Sequence, residues 1–294
     1  MSNREIVIGT RGSKLALIQT QIVVNDLKKN NPDLNIKVHV IQTSGDRGNL
    51  TALGAFVGEI EKALLEKKID IAVHSFKDMP AEITAGLRFS AILKRADARE
   101  VFILKEGERF DSAKKYKIGT GSPRRSLLLN HYFPHMTVVP IRGNVDSRIG
   151  LVDSGELDGV ILAAAGLIRI GMSQRITKYL PVNQFIPAPG QGALAVQTHI
   201  ADHEMRDLVS PLDDKHARLC SNAEHIILKE ISGGCSIPLG AFAECLESDQ
   251  LKMWAFYGSN ADNDINKEID IFHVNDIGKI PRQIAQRLKK NYKE

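Results

Sequence analysis

The chain has 294 residues, 43% hydrophobic and 25% charged, with a formal net charge of +4. Such ordinary globular composition allows two or three domains, and the charge is too mild to argue for a nucleic-acid partner. No apolar run approaches the roughly 20 residues that span a bilayer. The N-terminal Ile6-Val7-Ile8 is too short for a signal-peptide core. Three cysteines without C-x-x-C spacing argue against a disulfide framework or a zinc site. A cytoplasmic protein with no metal, no membrane contact and no nucleic acid is expected.

In chain order, Glu5–Gly9 reads as a strand and Ser13 as the cap of a helix running to about Lys29. Ile36–Gln42 is a second strand, Phe56–Lys67 a helix and Ile69–Val73 a third strand. Leu87–Leu93 and Val101–Leu104 read as strands flanking a polar crossover, Lys94–Glu100. The alternation then repeats: Lys117–Gly119 strand, Ser122–Tyr132 helix, Thr137–Pro140 strand, Asn144–Ser154 helix, Gly159–Leu162 strand, Ala163–Ile170 helix. Two similar α/β domains with a cleft between them are the expectation. Ala193–Val196 crosses back to the first block. A helix over Asp213–Ile231 then leads to a small antiparallel sheet, Gly240–Glu244, Leu251–Tyr257 and Glu268–His273, and a final helix from about Asn275 to Lys289. The domains expected are 1–94 with 191–210, 98–187, and 213–294.

The segment from Asp70 to Pro80, Asp-Ile-Ala-Val-His-Ser-Phe-Lys-Asp-Met-Pro, carries the strongest local signal. An apolar run, buried on both faces, ends abruptly at Lys77 and Asp78. In open α/β sheets ligands bind beyond the carboxyl ends of strands. Chemistry at this ammonium and carboxylate stands at even odds with a solvated turn. Other strand ends deliver Arg11 with Ser13, Arg124 and Arg125 after Ser122, Arg142 and Arg148, and Arg169. A lone strand-end arginine is more often a surface ion pair. Several on one cleft call for a ligand with many negative charges, aided by free N–H groups at helix starts. With no Walker loop and no Gly-x-Gly-x-x-Gly fingerprint, a polycarboxylate fits better than a nucleotide. Cys235 follows paired glycines on a tight turn, where an exposed reactive thiol competes with a small buried side chain.

These segments, together with Gly119-Thr-Gly-Ser-Pro-Arg-Arg, Arg142-Gly-Asn-Val-Asp-Ser-Arg, Ile161-Leu-Ala-Ala-Ala-Gly-Leu, Pro187-Ala-Pro-Gly-Gln-Gly-Ala and Gly233-Gly-Cys-Ser-Ile-Pro-Leu-Gly, resemble the porphobilinogen deaminase family in order and spacing, from the first strand to at least Gly240. The resemblance implies two doubly wound, periplasmic-binding-protein-like α/β domains and a C-terminal α+β domain. It implies a monomeric transferase of tetrapyrrole (haem) biosynthesis, or hydroxymethylbilane synthase. Such an enzyme joins four porphobilinogen units head to tail, with release of ammonia, into hydroxymethylbilane.

By the family's pattern a dipyrromethane cofactor is held by a thioether to Cys235, and Asp78, beside Lys77, is the essential carboxylate. Deamination leaves a cationic azafulvene that such a carboxylate stabilises. Arg124, Arg125, Thr120, Ser122, Lys77, Arg142 and Arg148 would hold the cofactor. Arg11, Ser13, Arg142, Arg148, Arg169 and Gln191 would meet the acetates and propionates of substrate and product. Gln191 reads equally well as a hinge residue.

One departure stands out. After Thr43-Ser44-Gly45-Asp46 only Arg47–Ala55 precedes Phe56, and the family's longer lysine- and glycine-bearing mobile loop is missing. Two rivals to the enzyme follow. A two-lobed solute-binding module would share the cleft and arginines but has no use for Asp78 and Cys235 together. A catalytically impaired relative would only bind pyrrole carboxylates.

Overall fold

Short buried strands alternating with capped helices organise most of the chain. The structure is a computed structural model that describes residues 4–46, 56–231, 237–259 and 264–290. The first elements are β1 (Ile6–Thr10), α1 (Lys14–Asn30), β2 (Ile36–Val40), α2 (Gly58–Leu65), β3 (Ile71–Ser75) and β4 (Leu87–Ile92). Next come β5 (Glu100–Leu104), β6 (Lys117–Thr120), α3 (Pro123–Tyr132), β7 (Thr137–Pro140), α4 (Val145–Asp153), β8 (Gly159–Ala163), α5 (Ala164–Arg169) and β9 (Lys178–Tyr179). The remainder is β10 (Leu194–His199), α6 (His203–Val209), α7 (Lys215–Ile231), β11 (Leu239–Cys245), β12 (Gln250–Ser259), β13 (Asp264–His273) and α8 (Ile280–Lys290).

The chain divides into two units, Met1–Arg95 with Ala193–Leu219, and Ala96–Gly192 with Cys220–Glu294. In the first, the sheet order is β2-β1-β3-β10-β4. β1 pairs parallel with β2 and β3, while β10 runs antiparallel between β3 and β4. Ile71 and Val73 of β3 pack with Val23 and Leu27 of α1 and Leu208 of α6. Ala72 packs with Ile60 and Leu64 of α2 on the opposite face. Helices on both faces explain why β3 reads as an unbroken apolar run. Each large aliphatic side chain buried here contributes about 1.5–3 kcal/mol.

The second unit repeats the plan as β7-β6-β8-β5-β9, with β6 parallel to β7 and β8, and β5 antiparallel to β8 and β9. Phe102 and Ile161 enter a core with Leu127 of α3, while Val101 and Val160 enter another with Ile149 of α4 and Leu167 of α5. The unit also holds an antiparallel meander, β11-β12-β13. Trp254 and Phe256 of β12 share the core of Phe102 and Phe185. The expected class, two doubly wound α/β folds with a C-terminal α+β portion, is the observed one.

Three local expectations need correction. The final helix starts at Ile280, not Asn275. A 3₁₀ turn, Val274–Asp276, comes first, and Pro281 then sits in the opening turn of α8, where its missing N–H costs nothing. The helix α6 was not foreseen, although Asp202 caps it by accepting from Met205 N at 3.0 Å. Glu100 was assigned to a polar crossover, yet it opens β5 and is fully buried.

Candidate functional site

In the first unit β1 lies between β2 and β3, all parallel, so the segments after their carboxyl ends gather at one sheet edge. Ser13 spends its hydroxyl on capping α1, accepting from Ala16 N at 3.3 Å. Arg11 places Nη2 2.5 Å from Asp46 Oδ1 and its guanidinium 4.1 Å from the Phe56 ring centroid. Thr43 Oγ1 donates to Asp46 Oδ2 at 2.8 Å. Burial alone would raise the Asp46 carboxyl, but the bonds from Arg11 and Thr43 outweigh it and hold the group below its usual range.

The end of β3 is fixed from both faces. Gln19 Nε2 of α1 donates to Ser75 Oγ at 2.9 Å. On the other side Gln197 Nε2 donates to Glu61 Oε1 at 2.8 Å, and Thr84 Oγ1 donates to Glu61 Oε2 at 2.7 Å. Burial beside this chain pushes the His74 imidazole down to about 4, against a smaller opposing effect of Gln197, so the ring is neutral. Gln197 approaches His74, yet His74 Nε2 makes no hydrogen bond of good geometry. Phe76–Asp78 forms a 3₁₀ turn in which Phe76 N donates to Ala193 O at 3.1 Å. Phe76 and Met79 are buried, which leaves Lys77 and Asp78 half-exposed between them. Among the described residues Asp78 has no hydrogen-bond or ion-pair partner.

The second unit repeats this arrangement at the ends of β6, β7 and β8. Ser122 caps α3 by accepting from Arg125 N at 3.4 Å, Pro123 takes the first turn, and Thr120 Oγ1 accepts from Ser122 N at 3.2 Å. The helix carries Arg124 and Arg125 inward. Arg124 Nη2 lies 2.5 Å from Glu100 Oε1 and Arg125 Nη2 lies 2.8 Å from Glu100 Oε2. The second contact is an ion pair whose geometry falls short of a hydrogen bond. Arg124 and Arg125 also donate to the carbonyls of Ile186 and Ile161, at 2.9 and 3.2 Å. Burial would raise the Glu100 carboxyl, but Arg125 and Arg124 override it and bring it down to about 2.

Gln191 Nε2 joins the group, donating to Ala98 O at 2.7 Å and Glu100 Oε1 at 3.1 Å. Gly192 follows it with φ +89°, and a side chain there would meet Ala96 O at 2.5 Å, so only glycine fits this crossing.

The arginines thus fall into two sets. Arg11, Arg124 and Arg125 face carboxylates of the chain itself. Arg148 and Arg169 face none among the described residues: Arg148 Nε donates to Gly143 O at 2.8 Å and Arg169 Nη2 to Gly192 O at 2.7 Å. Burial lowers the Arg148 pKa, with nearby Arg125 adding to it, and burial alone pushes Arg169 down to about 10. Arg142 is exposed, with no ion pair among the described residues. A guanidinium taken out of water without a counter-charge is costly. The half-buried Arg148 and Arg169 fit a ligand that supplies carboxylates. Arg125 Nε, buried without an acceptor, is a further donor of this kind.

Of the residues singled out from sequence, Arg11, Ser13, Lys77 and Asp78 stand in the first unit and Thr120, Ser122, Arg124, Arg125, Arg142, Arg148, Arg169 and Gln191 in the second. Cys235 and the segment Arg47–Ala55 lie outside the described residues. Glu100 was missed. The adjacent arginines Arg124 and Arg125, on a helix packed against a sheet, were the signal that a buried acid must answer them.

Two family models match the chain: "Porphobilinogen deaminase, dipyromethane cofactor binding domain" over residues 6–207, and "Porphobilinogen deaminase, C-terminal domain" over residues 218–290. The porphobilinogen deaminase of Clostridioides difficile is 41% identical over 293 residues, covering 97% of this chain and 96% of that protein. That of Syntrophus aciditrophicus is 39% identical, with 96% and 94% covered, and that of Geobacillus kaustophilus 42% identical, with 90% and 88% covered. Among solved structures, the substrate binding protein of an amino acid ABC transporter is similar at a TM-score of 0.38 and 14% identity, covering 71% of this chain and 91% of that one. A likeness this weak says nothing about ligand or activity. The collinear motifs, the two matching domains and full-length relatives at about 40% identity lead to one conclusion: the chain belongs to the porphobilinogen deaminase family.

Proposed function

We propose that this chain is a transferase that condenses four porphobilinogen units head to tail on a dipyrromethane primer, releasing ammonia at each addition and yielding hydroxymethylbilane. The observation that carries the reading is the pair of half-buried guanidiniums, Arg148 and Arg169, that no carboxylate among the described residues neutralises. Each pyrrole of substrate and product bears an acetate and a propionate, the charges these arginines lack. Arg124 and Arg125 are partly neutralised by Glu100, and Thr120 and Ser122 set the start of their helix. In this reading they orient the primer, together with Lys77, Arg142 and Arg148.

When bound through Cys235, the primer supplies the pyrrole carbon to which the first unit adds. Asp78 would stabilise the cation left by loss of ammonia and take up the proton lost from the pyrrole carbon that attacks it, which restores the attacking ring's aromaticity. Its freedom from an internal partner suits that task. Arg11, Ser13 and Gln191 complete the carboxylate contacts.

The division into 1–94 with 191–210, 98–187 and 213–294 is retained as part of the proposal, as are a monomeric state and a cytoplasmic location. No described helix is long and apolar enough to cross a membrane. Incubation with porphobilinogen tests the activity: its consumption should match the appearance of hydroxymethylbilane. Intact mass should exceed the sequence mass by two linked pyrroles, and Cys235→Ser should remove the excess. Binding of porphobilinogen without consumption would leave only the impaired, carboxylate-binding relative.

A further inference from the structure

Two cysteines, Cys220 and Cys245, stand together among the described residues. Cys220 on α7 and Cys245 at the end of β11 bring their sulfurs to 3.6 Å, and neither is in a disulfide. A disulfide needs about 2.05 Å between sulfurs, so roughly 1.5 Å of approach separates contact from bond. The two thiols differ in access. Cys220 is 5% exposed, whereas Cys245 is half-buried. An accessible thiol backed by a shielded one is the arrangement in which peroxide oxidation passes through a sulfenic acid to a disulfide. In sequence the two residues bracket residues 232–236, which hold Cys235.

We propose that Cys220 and Cys245 form a redox-reactive dithiol that a peroxide converts reversibly into a disulfide. The Cys245 thiolate attacks one peroxide oxygen, the O–O bond breaks, hydroxide leaves and Cys245 becomes a sulfenic acid. The Cys220 sulfur then attacks that sulfur, the S–O bond breaks, and the oxygen leaves as water with the Cys220 proton. Two thiols and one hydrogen peroxide thereby give one disulfide and two waters. A dithiol reductant reverses the step by exchange. The bond closes the chain around residues 232–236 and ties the end of β11 back to α7, which restricts the unfolded chain more than the folded one.

The test uses the full-length protein, treated with stoichiometric hydrogen peroxide, alkylated with N-ethylmaleimide and read by intact mass and peptide mapping. The expected result is loss of two hydrogens, two fewer alkylations and a cross-linked peptide joining Cys220 to Cys245, all reversed by dithiothreitol. The oxidised form should melt roughly 5 °C or more higher. In Cys220→Ser, Cys245 should stop at a sulfenic acid captured by dimedone, an adduct absent from the wild type. In Cys245→Ser, Cys220 should stay unmodified. Equal alkylation of both thiols before and after peroxide overturns the proposal, as does a cross-link that uses Cys235. None of these readouts involves porphobilinogen, so they stand apart from the proposed reaction.

Discussion

Arg124 Nη2 stands 2.5 Å from Glu100 Oε1, with neither side chain more than 5% exposed, and the contact joins a helix to a strand 24 positions earlier. One carboxylate serves two guanidiniums here, so Glu100 is the fixed counter-charge of the second unit.

Glu100→Gln should therefore cost about 3–5 kcal/mol, the range for breaking a buried pair from one side. In the melting temperature that is a fall of roughly 10 °C. The acid limb of stability should change as well. Glu100 sits at about 2 when folded, against an ordinary glutamate value of 4.5. The stability it contributes is present above the unfolded pKa and lost as pH falls from about 4.5 toward 2. Urea unfolding at several pH values should show this loss in wild type and its flattening in Glu100→Gln.

His74 acts over a higher window. Its pKa falls from 6.5 to about 4 on folding, so the unfolded chain binds the proton first. Stability present above pH 6.5 should drop by roughly 3 kcal/mol as pH falls to about 4. His74→Gln should abolish that slope and leave the lower Glu100 window in place. Equilibrium unfolding between pH 4 and 7 checks it.

Arg169 and Arg124 should part company. Arg169→Leu removes a half-buried charge that no carboxylate among the described residues answers, at the expense of one hydrogen bond to Gly192 O. Its melting temperature should stay within a few degrees of wild type. Its primer should remain attached while a later addition slows at least about tenfold, with shortened enzyme-bound intermediates visible by native mass spectrometry. Arg124→Leu should lose both stability and primer assembly, because Glu100 then keeps only one arginine.

Asp78→Asn keeps shape and removes charge. Turnover should fall at least about 100-fold, equivalent to roughly 3 kcal/mol of transition-state stabilisation, while porphobilinogen still binds. Steady-state kinetics with a binding titration separate the two effects. Turnover within about threefold of wild type would reject the carboxylate's role.

What could be read from the sequence depended on distance along the chain. The run Ile71–Val73 declared a strand covered on both faces, and Ser13 and Ser122 declared helix starts, because those signals act within a few residues. Asp78 was legible because the strand end and its charges are contiguous. Glu100 was not, since its partners are supplied by a helix that tertiary packing brings to it. The link from Thr84 through Glu61 to Gln197 was equally invisible, being assembled from a loop, a helix and a strand. For the arginines the sequence announced a shared charge, but only the folded contacts separate Arg148 and Arg169, which meet backbone carbonyls and no acid among the described residues, from Arg11, Arg124 and Arg125, which meet one.

The position of β10 between β3 and β4 also sets a timetable. On the ribosome the first sheet cannot close when its early strands emerge, because the strand that joins β3 to β4 is made about 100 residues later. At 5–20 residues per second that is a wait of roughly 5–20 seconds, during which β3 and β4 expose open edges. The second sheet has all its strands between Glu100 and Tyr179 and can finish first. Its completion precedes the return of the chain, so the last-made half of the α/β architecture is complete before the first-made half.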